Sequence, residues 1–237
     1  MMECINFTKS FGKKYILREA NLVLTPGAWG LTGPNGCGKS TFFRILWGEL
    51  PLDSGELRFG GTRYFLDSPS WRGLIAPVPD GNALMDGMSV WGQFHFWGSL
   101  NGLKDQEIRR RGDELVKILG LEEATGAKTV EDLSKGNMKA VALALALLRD
   151  AQLYLMDEPF AGLDAERSEV LKDIIRKLAG RGKTIIYSCH GRSFLEDCAQ
   201  GCLRLLDGRF ERIDPADMDG PESRGSVGLA GSLSWLV

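Results

Sequence analysis

The sequence predicts an α/β fold: a mainly parallel sheet flanked by helices, with an antiparallel β subdomain in front and a helical subdomain inserted at about residues 89–150. Three observations carry this expectation. A strand, a glycine-rich loop and a helix follow one another between Ala28 and Gly48; buried strands alternate with a helix from Gln152 to Ser188; and the stretch between is helical in pattern. Alternation of strand and helix favours parallel pairing, because each crossover carries the chain back over the sheet.

Along the chain, Glu3–Thr8 and Ile16–Leu24 are β-prone runs that the Gly12-Lys13-Lys14 turn would join as an antiparallel pair. Ala28–Thr32 is a short strand, Gly33–Gly38 a glycine-rich loop, and Lys39–Gly48 an apolar helix ended by glycine. Small strands are expected around Glu56–Phe59 and Leu74–Val78. From Ser89 to Arg149 the pattern turns helical, with Ile108, Leu115, Ile118 and Leu119 on one stripe. Gln152–Met156 and Lys183–Ser188 read as buried strands around a helix at Glu166–Ala179. Residues 1–213 thus form one domain, and 214–237, rich in Gly, Ser, Pro and Asp, a tail.

At 237 residues, 43% hydrophobic and 25% charged, the chain can bury one substantial core. A formal net charge of -2 provides no general positive field, so no nucleic acid is expected as a partner. The longest apolar run, Ala140–Leu148, falls far short of the roughly 20 residues that cross a bilayer and reads as a buried helix. The N-terminal segment has no apolar signal core, which predicts a cytoplasmic location. Five cysteines form no paired framework; Cys198 and Cys202, at helical spacing, lack the acidic or histidine partners of a metal site and read as core.

The chemistry concentrates in two motifs. Gly33-Pro34-Asn35-Gly36-Cys37-Gly38-Lys39-Ser40 fits a phosphate loop, whose glycines let backbone N–H groups wrap phosphate oxygens at the start of a helix. Lys39 would neutralise the β- and γ-phosphates, Ser40 would offer Mg²⁺ a hydroxyl, and Thr41 would reach the α-phosphate. Asp157 and Glu158 close a buried strand, where carboxylates are costly unless they serve a cation or a proton. Asp157 would complete the Mg²⁺ shell, and Glu158 is the candidate general base for the attacking water.

With Leu133-Ser134-Lys135-Gly136-Asn137 ahead of the apolar helix, these motifs make the chain resemble the ATP-binding cassette (ABC) family over about residues 3–210. That segment matches the family signature Leu-Ser-Gly-Gly-Gln at Leu133, Ser134 and Gly136 and departs from it at Lys135 and Asn137. The resemblance implies a P-loop NTPase core of RecA-like type, with ATP and Mg²⁺ as cofactors. It places Phe11 where an aromatic ring stacks on adenine, His190 where a histidine touches the γ-phosphate, and Ala161–Asp164 where a loop meets a partner cassette. Asp80 occupies the place of a glutamine that senses Mg²⁺ and the attacking water; its added charge beside the phosphates is expected to slow the site.

The resemblance further implies a head-to-tail dimer, in which Ser134, Gly136 and Asn137 of one cassette cap the ATP held by the other's Lys39. It also implies a membrane-spanning permease on another chain, which would hold the protein peripherally at the membrane. The wording from Met88 to Leu103 is similar to single-cassette ATPases of bacterial exporters, and the apolar segment with Leu84, Met85, Met88, Trp91, Phe94, Phe96 and Trp97 is a candidate docking surface, with Met85 and Met88 as the expected surface contacts. A soluble cassette of a cytosolic assembly system, or a nucleotide-gated module with weak turnover, would share the same motifs.

Overall fold

The computed structural model describes residues 1–81, 83–189 and 191–214; Asn82, His190 and most of the expected tail, 215–237, lie outside them. In chain order, β1 (Met2–Phe11), β2 (Lys14–Leu24) and β3 (Gly27–Thr32) precede α1 (Lys39–Leu46). Next come β4 (Ser54–Phe59), β5 (Thr62–Tyr64), the short α2 (Pro69–Arg72) and β6 (Ile75–Val78). Three helices follow: α3 (Val90–Leu100), α4 (Asp105–Ile118) and α5 (Lys135–Leu148). The remainder is β7 (Leu153–Met156), α6 (Ala165–Gly180), β8 (Thr184–Ser188), α7 (Arg192–Glu196), β9 (Gly201–Leu206) and β10 (Arg209–Ile213).

The strands form two sheets, ordered β2-β1-β4-β5 and β10-β9-β3-β8-β7-β6. The first is antiparallel; in the second, β9, β3, β8, β7 and β6 run parallel and only the β10 edge is reversed. Because successive strand residues point to opposite faces, the larger sheet feeds two cores. Leu153, Leu155 and Ile186 join the core that holds Phe42, Phe43 and Ile45 of α1, next to the antiparallel sheet. Tyr154, Met156, Ile185 and Tyr187 join the other core, with α5, α6 and the apolar stripe of α4. The stripe residues Ile108, Leu115 and Leu119 are fully buried there. No helix among the described residues is long and apolar enough to cross a membrane.

Several elements depart from the sequence reading. β5, α2 and α7 are too short for periodicity to register, and the β9–β10 hairpin is an element beyond those expected. Its signal was present: Asp207 and Gly208 both take positive φ, 47° and 77°, the geometry that favours an Asp-Gly two-residue hairpin turn. The same hairpin alters the reading of Cys198 and Cys202, which share no helix because Cys202 lies in β9; both are buried.

Candidate functional site

β3 ends in the glycine loop, and three of its residues have backbone angles that L side chains avoid: φ is 147° at Gly33, 73° at Gly36 and 115° at Gly38. A Cβ on Gly33 would sit 2.5 Å from the Leu205 carbonyl oxygen, and one on Gly38 would sit 2.4 Å from Ile16 Cγ2. Glycine therefore lets this loop press onto β9 and β2. At Gly36 nothing lies within 4 Å of the Cβ position, so the middle of the loop is open, with Pro34 and Asn35 exposed beside it and Cys37 half-buried.

α1 starts at once from Gly38 and has no acidic residue in its first turn. Its opening N–H groups and positive dipole end therefore favour an anion. Lys39, 7% exposed, folds back to donate to the carbonyls of Gly33 at 2.9 Å and Pro34 at 3.3 Å. Ser40 is exposed and Thr41 half-buried at the same helix start.

β7 runs two strands away from β3, separated by β8, and its C-terminal end carries the carboxylates. Asp157 is buried, and Ser188 at the end of β8 donates a hydrogen bond of 2.6 Å to its Oδ1. The Glu158 N–H donates to the same Ser188 hydroxyl at 2.7 Å. Glu158 has φ 47°, a left-handed conformation that costs a non-glycine residue about 1–2 kcal/mol. The Ser188 bond and one from the Ala161 N–H to the Glu158 carbonyl hold it there.

Lys139 reaches this corner from α5. It is 7% exposed and donates to the Pro79 carbonyl at 3.1 Å and the Asp157 carbonyl at 3.2 Å. Burial pushes its pKa down, while the charges of Asp80, Asp157 and Glu158, in that order, pull it back up. Asp80 itself is exposed. The Asp80 charge thus acts on the Lys139 ammonium.

The signature segment lies on the other face of the larger sheet from α1, since α5 packs with α3, α4 and β6. Ser134 caps α5 by accepting the Asn137 N–H at 3.2 Å and is itself exposed. A Cβ on Gly136 would lie 2.8 Å from the Gly162 carbonyl, so the signature packs directly on the Ala161–Asp164 loop. Arg167 braces the two, donating to Asn137 Oδ1 and to the Gly120 carbonyl, each at 2.7 Å. Phe11, at the end of β1, is 52% exposed and has the Lys9 ammonium over its ring, 5.4 Å from the centroid. His190 lies outside the described residues.

Three functional candidates escaped the sequence reading: Ser188, Lys139 and Arg167. Lys139 had a signal, a charged residue at the head of the apolar run; Ser188 and Arg167 act through contacts made far along the chain. In the expected docking segment, Leu84 and Phe94 are core, Met88, Trp91 and Trp97 are half-buried, and Met85 and Phe96 are exposed.

For Mg²⁺ the expected donors are the Ser40 hydroxyl and the carboxylates of Asp157 and Asp80, all hard oxygens. Among the described residues no group of three or more His, Cys, Asp or Glu could hold a metal ion. Hard oxygens of this kind fit a cation that keeps its waters and arrives on phosphate oxygens, as magnesium does.

Residues 17–161 match the family model described as ABC transporter. Among curated proteins, the chain is 31% identical over 206 residues to the linearmycin resistance ATP-binding protein LnrL of Bacillus subtilis (strain 168), covering 86% of this chain and 65% of that one. It is 32% identical to the Nod factor export ATP-binding protein I of Cupriavidus metallidurans, covering 86% and 67%. The chain thus spans about two thirds of the length of these relatives. Among solved structures, an ATP-binding subunit of an ABC transporter superposes with TM-score 0.82 at 25% identity, covering 90% of each chain. A dimeric, post-hydrolysis ATP-binding cassette bound to ADP and Pi superposes with TM-score 0.80 at 25% identity, covering 90% of this chain and 99% of that one. The phosphate loop, the paired carboxylates and the capped signature helix stand on the fold these relatives share, and the chain belongs to the ABC transporter family as one of its ATP-binding cassettes.

Proposed function

We propose that this chain hydrolyses Mg-ATP in a head-to-tail pair with a second copy of itself and thereby drives a separate membrane-spanning permease of an exporter. The observation that carries the reading is the placement of the phosphate loop and the Asp157–Glu158 pair at the same end of one parallel sheet, two strands apart. That end is where open α/β sheets hold ligands. Lys39 and the start of α1 would bind the phosphates, and Phe11 would stack on the adenine. Ser40 and Asp157 would hold the magnesium ion, which neutralises charge developing on the β- and γ-phosphate oxygens. Glu158, with His190 as its expected neighbour on the γ-phosphate, would orient and deprotonate the attacking water.

The paired arrangement follows from the exposed N-terminus of α5. Ser134 opens a helix on the opposite face of the sheet from α1, with no acidic residue in its first turn, so its anion-binding end is available to a second molecule. The solved dimeric cassette with ADP and Pi supports that use. Hydrolysis removes the γ-phosphate that both helix ends attract, and the pair opens.

A permease would receive this motion at a groove of about 970 Å³, whose walls include Trp47, Pro69, Pro77, Trp97, Leu100 and Leu145. Leu100 is 67% exposed at its rim. Among the described residues the buried indole N–H groups of Trp47 and Trp97 beside this groove have no acceptor. Relatives named for Nod factor export and linearmycin resistance support the export direction. The test is hydrolysis of Mg-ATP by the purified chain and by Lys39→Ala: turnover in the first and its loss in the second is expected, and equal rates would refute the assignment.

A further inference from the structure

We propose that Lys139 is a positioning residue for hydrolysis, a buried cation that fastens the Asp80 loop and the Asp157–Glu158 turn to the helix opened by Ser134. The inference rests on the hydrolytic reading above and adds a residue to it. Its basis is geometric. The ammonium donates to the carbonyl of Pro79, the residue before Asp80, and to the carbonyl of Asp157, the residue before Glu158. Those two carbonyls belong to the turns that leave neighbouring parallel strands, β6 and β7. One side chain thus sets the spacing of two loops that carry the carboxylates of the site.

A purely architectural lysine explains this poorly. An ammonium taken out of water carries a large desolvation cost, and apolar residues of similar volume often serve stability as well or better. Here the charge sits where it offsets Asp80, Asp157 and Glu158, the three carboxylates that act on it. Of its three N–H bonds, two go to carbonyls, so the group is oriented as well as charged.

The location gives the contact a further consequence. Lys139 follows Ser134 by about 1.4 turns on one rigid helix, so displacement of the Ser134 end by a partner's nucleotide moves the ammonium too. The Asp80 loop and Glu158 would follow it. Lys139 would then report occupancy of the partner's site to the hydrolytic carboxylates of its own chain.

The test is a double-mutant cycle on the full chain, read as single-turnover ATP hydrolysis with ATP affinity and thermal midpoint measured alongside. Lys139→Met should lower the hydrolysis rate by about 10- to 100-fold while ATP affinity stays within about 3-fold, because positioning and not phosphate binding is lost. Lys139→Arg, which keeps the charge, should recover most of the rate. Asp80→Asn should slow the wild type a few-fold but speed Lys139→Met by about 3-fold or more, since it removes a carboxylate left without its cation. Wild-type turnover in folded Lys139→Met, or an Asp80→Asn effect of the same size and sign in both backgrounds, would overturn the proposal. If Lys139→Met does not fold, Lys139→Gln carries the same cycle with the same two readings. A hydrolysing wild type with an indifferent Lys139 refutes this inference alone; a wild type that hydrolyses nothing refutes the activity and this inference together.

Discussion

Ser188 donates its hydroxyl proton to Oδ1 of Asp157 across 2.6 Å, and so ties the end of β8 to the end of β7. The Ser188 hydroxyl oxygen in turn accepts the Glu158 N–H at 2.7 Å, which makes one buried hydroxyl the common anchor of both carboxylate residues. Ser188→Ala would leave Asp157 unoriented and the Glu158 amide without its acceptor. Loss of such an outer partner commonly costs about 10- to 100-fold in metal affinity or activity. Turnover measured against Mg²⁺ concentration should show a raised magnesium requirement; an unchanged requirement and rate would assign Ser188 a packing role.

Glu158→Gln keeps the size and the left-handed backbone of Glu158 but removes the base. Turnover should fall by at least about 100-fold, the usual scale for a general base, and the paired form should persist on ATP. Chromatography in Mg-ATP reads the second effect. Hydrolysis at the wild-type rate would show that another group activates the water.

Cys37 sits half-buried within the phosphate loop, beside the open position at Gly36. Phosphates bound to that loop would cover it, so thiol labelling at Cys37 should slow in saturating Mg-ATP. The other four cysteines are buried and serve as internal controls. Equal labelling rates with and without nucleotide would move the phosphates elsewhere.

Leu100→Asp places a carboxylate at the rim of the apolar groove without touching the nucleotide motifs. Capture of a membrane subunit by the tagged chain should be lost while ATP binding is retained. Undiminished capture would place the permease contact on another surface.

Glu107 on α4 is held at a pKa of about 2, below its ordinary 4.5, by hydrogen bonds from Arg110 and Arg111. A carboxylate lowered on folding stabilises the native state above the unfolded value and loses that contribution as pH falls through the folded one. Glu107→Gln should therefore cost about 0.5–1 kcal/mol at pH 6, a small figure because the site is one-third exposed to screening solvent, and almost nothing near pH 2. Urea titrations at the two pH values test this; an equal loss at both would mean that the pair's charge contributes nothing.

The parallel sheet and the two motifs were legible because their signals are local. Glycines at Gly33, Gly36 and Gly38 meet backbone needs set within a few residues, and the buried strands β7 and β8 announce themselves as short apolar runs. What escaped depends on distant chain segments. Ser188 and Lys139 matter only because β8 and α5 bring them to the end of β7, 31 and 18 residues away in sequence. Asp80 is read from the sequence as an added charge beside the phosphates, and the fold adds the Lys139 ammonium on which that charge acts.

The central claim is that each hydrolytic site is built from two chains, Lys39 of one and Ser134 of the other. Two chains defective in different halves test it most directly. Lys39→Ala removes the phosphate cation, and Ser134→Arg blocks the capping helix; each alone should be inactive. An equal mixture should regain about a quarter of the wild-type rate, because half the pairs are mixed and each of these holds one intact site. A mixture no more active than its components would contradict the shared site, and with it the head-to-tail pair.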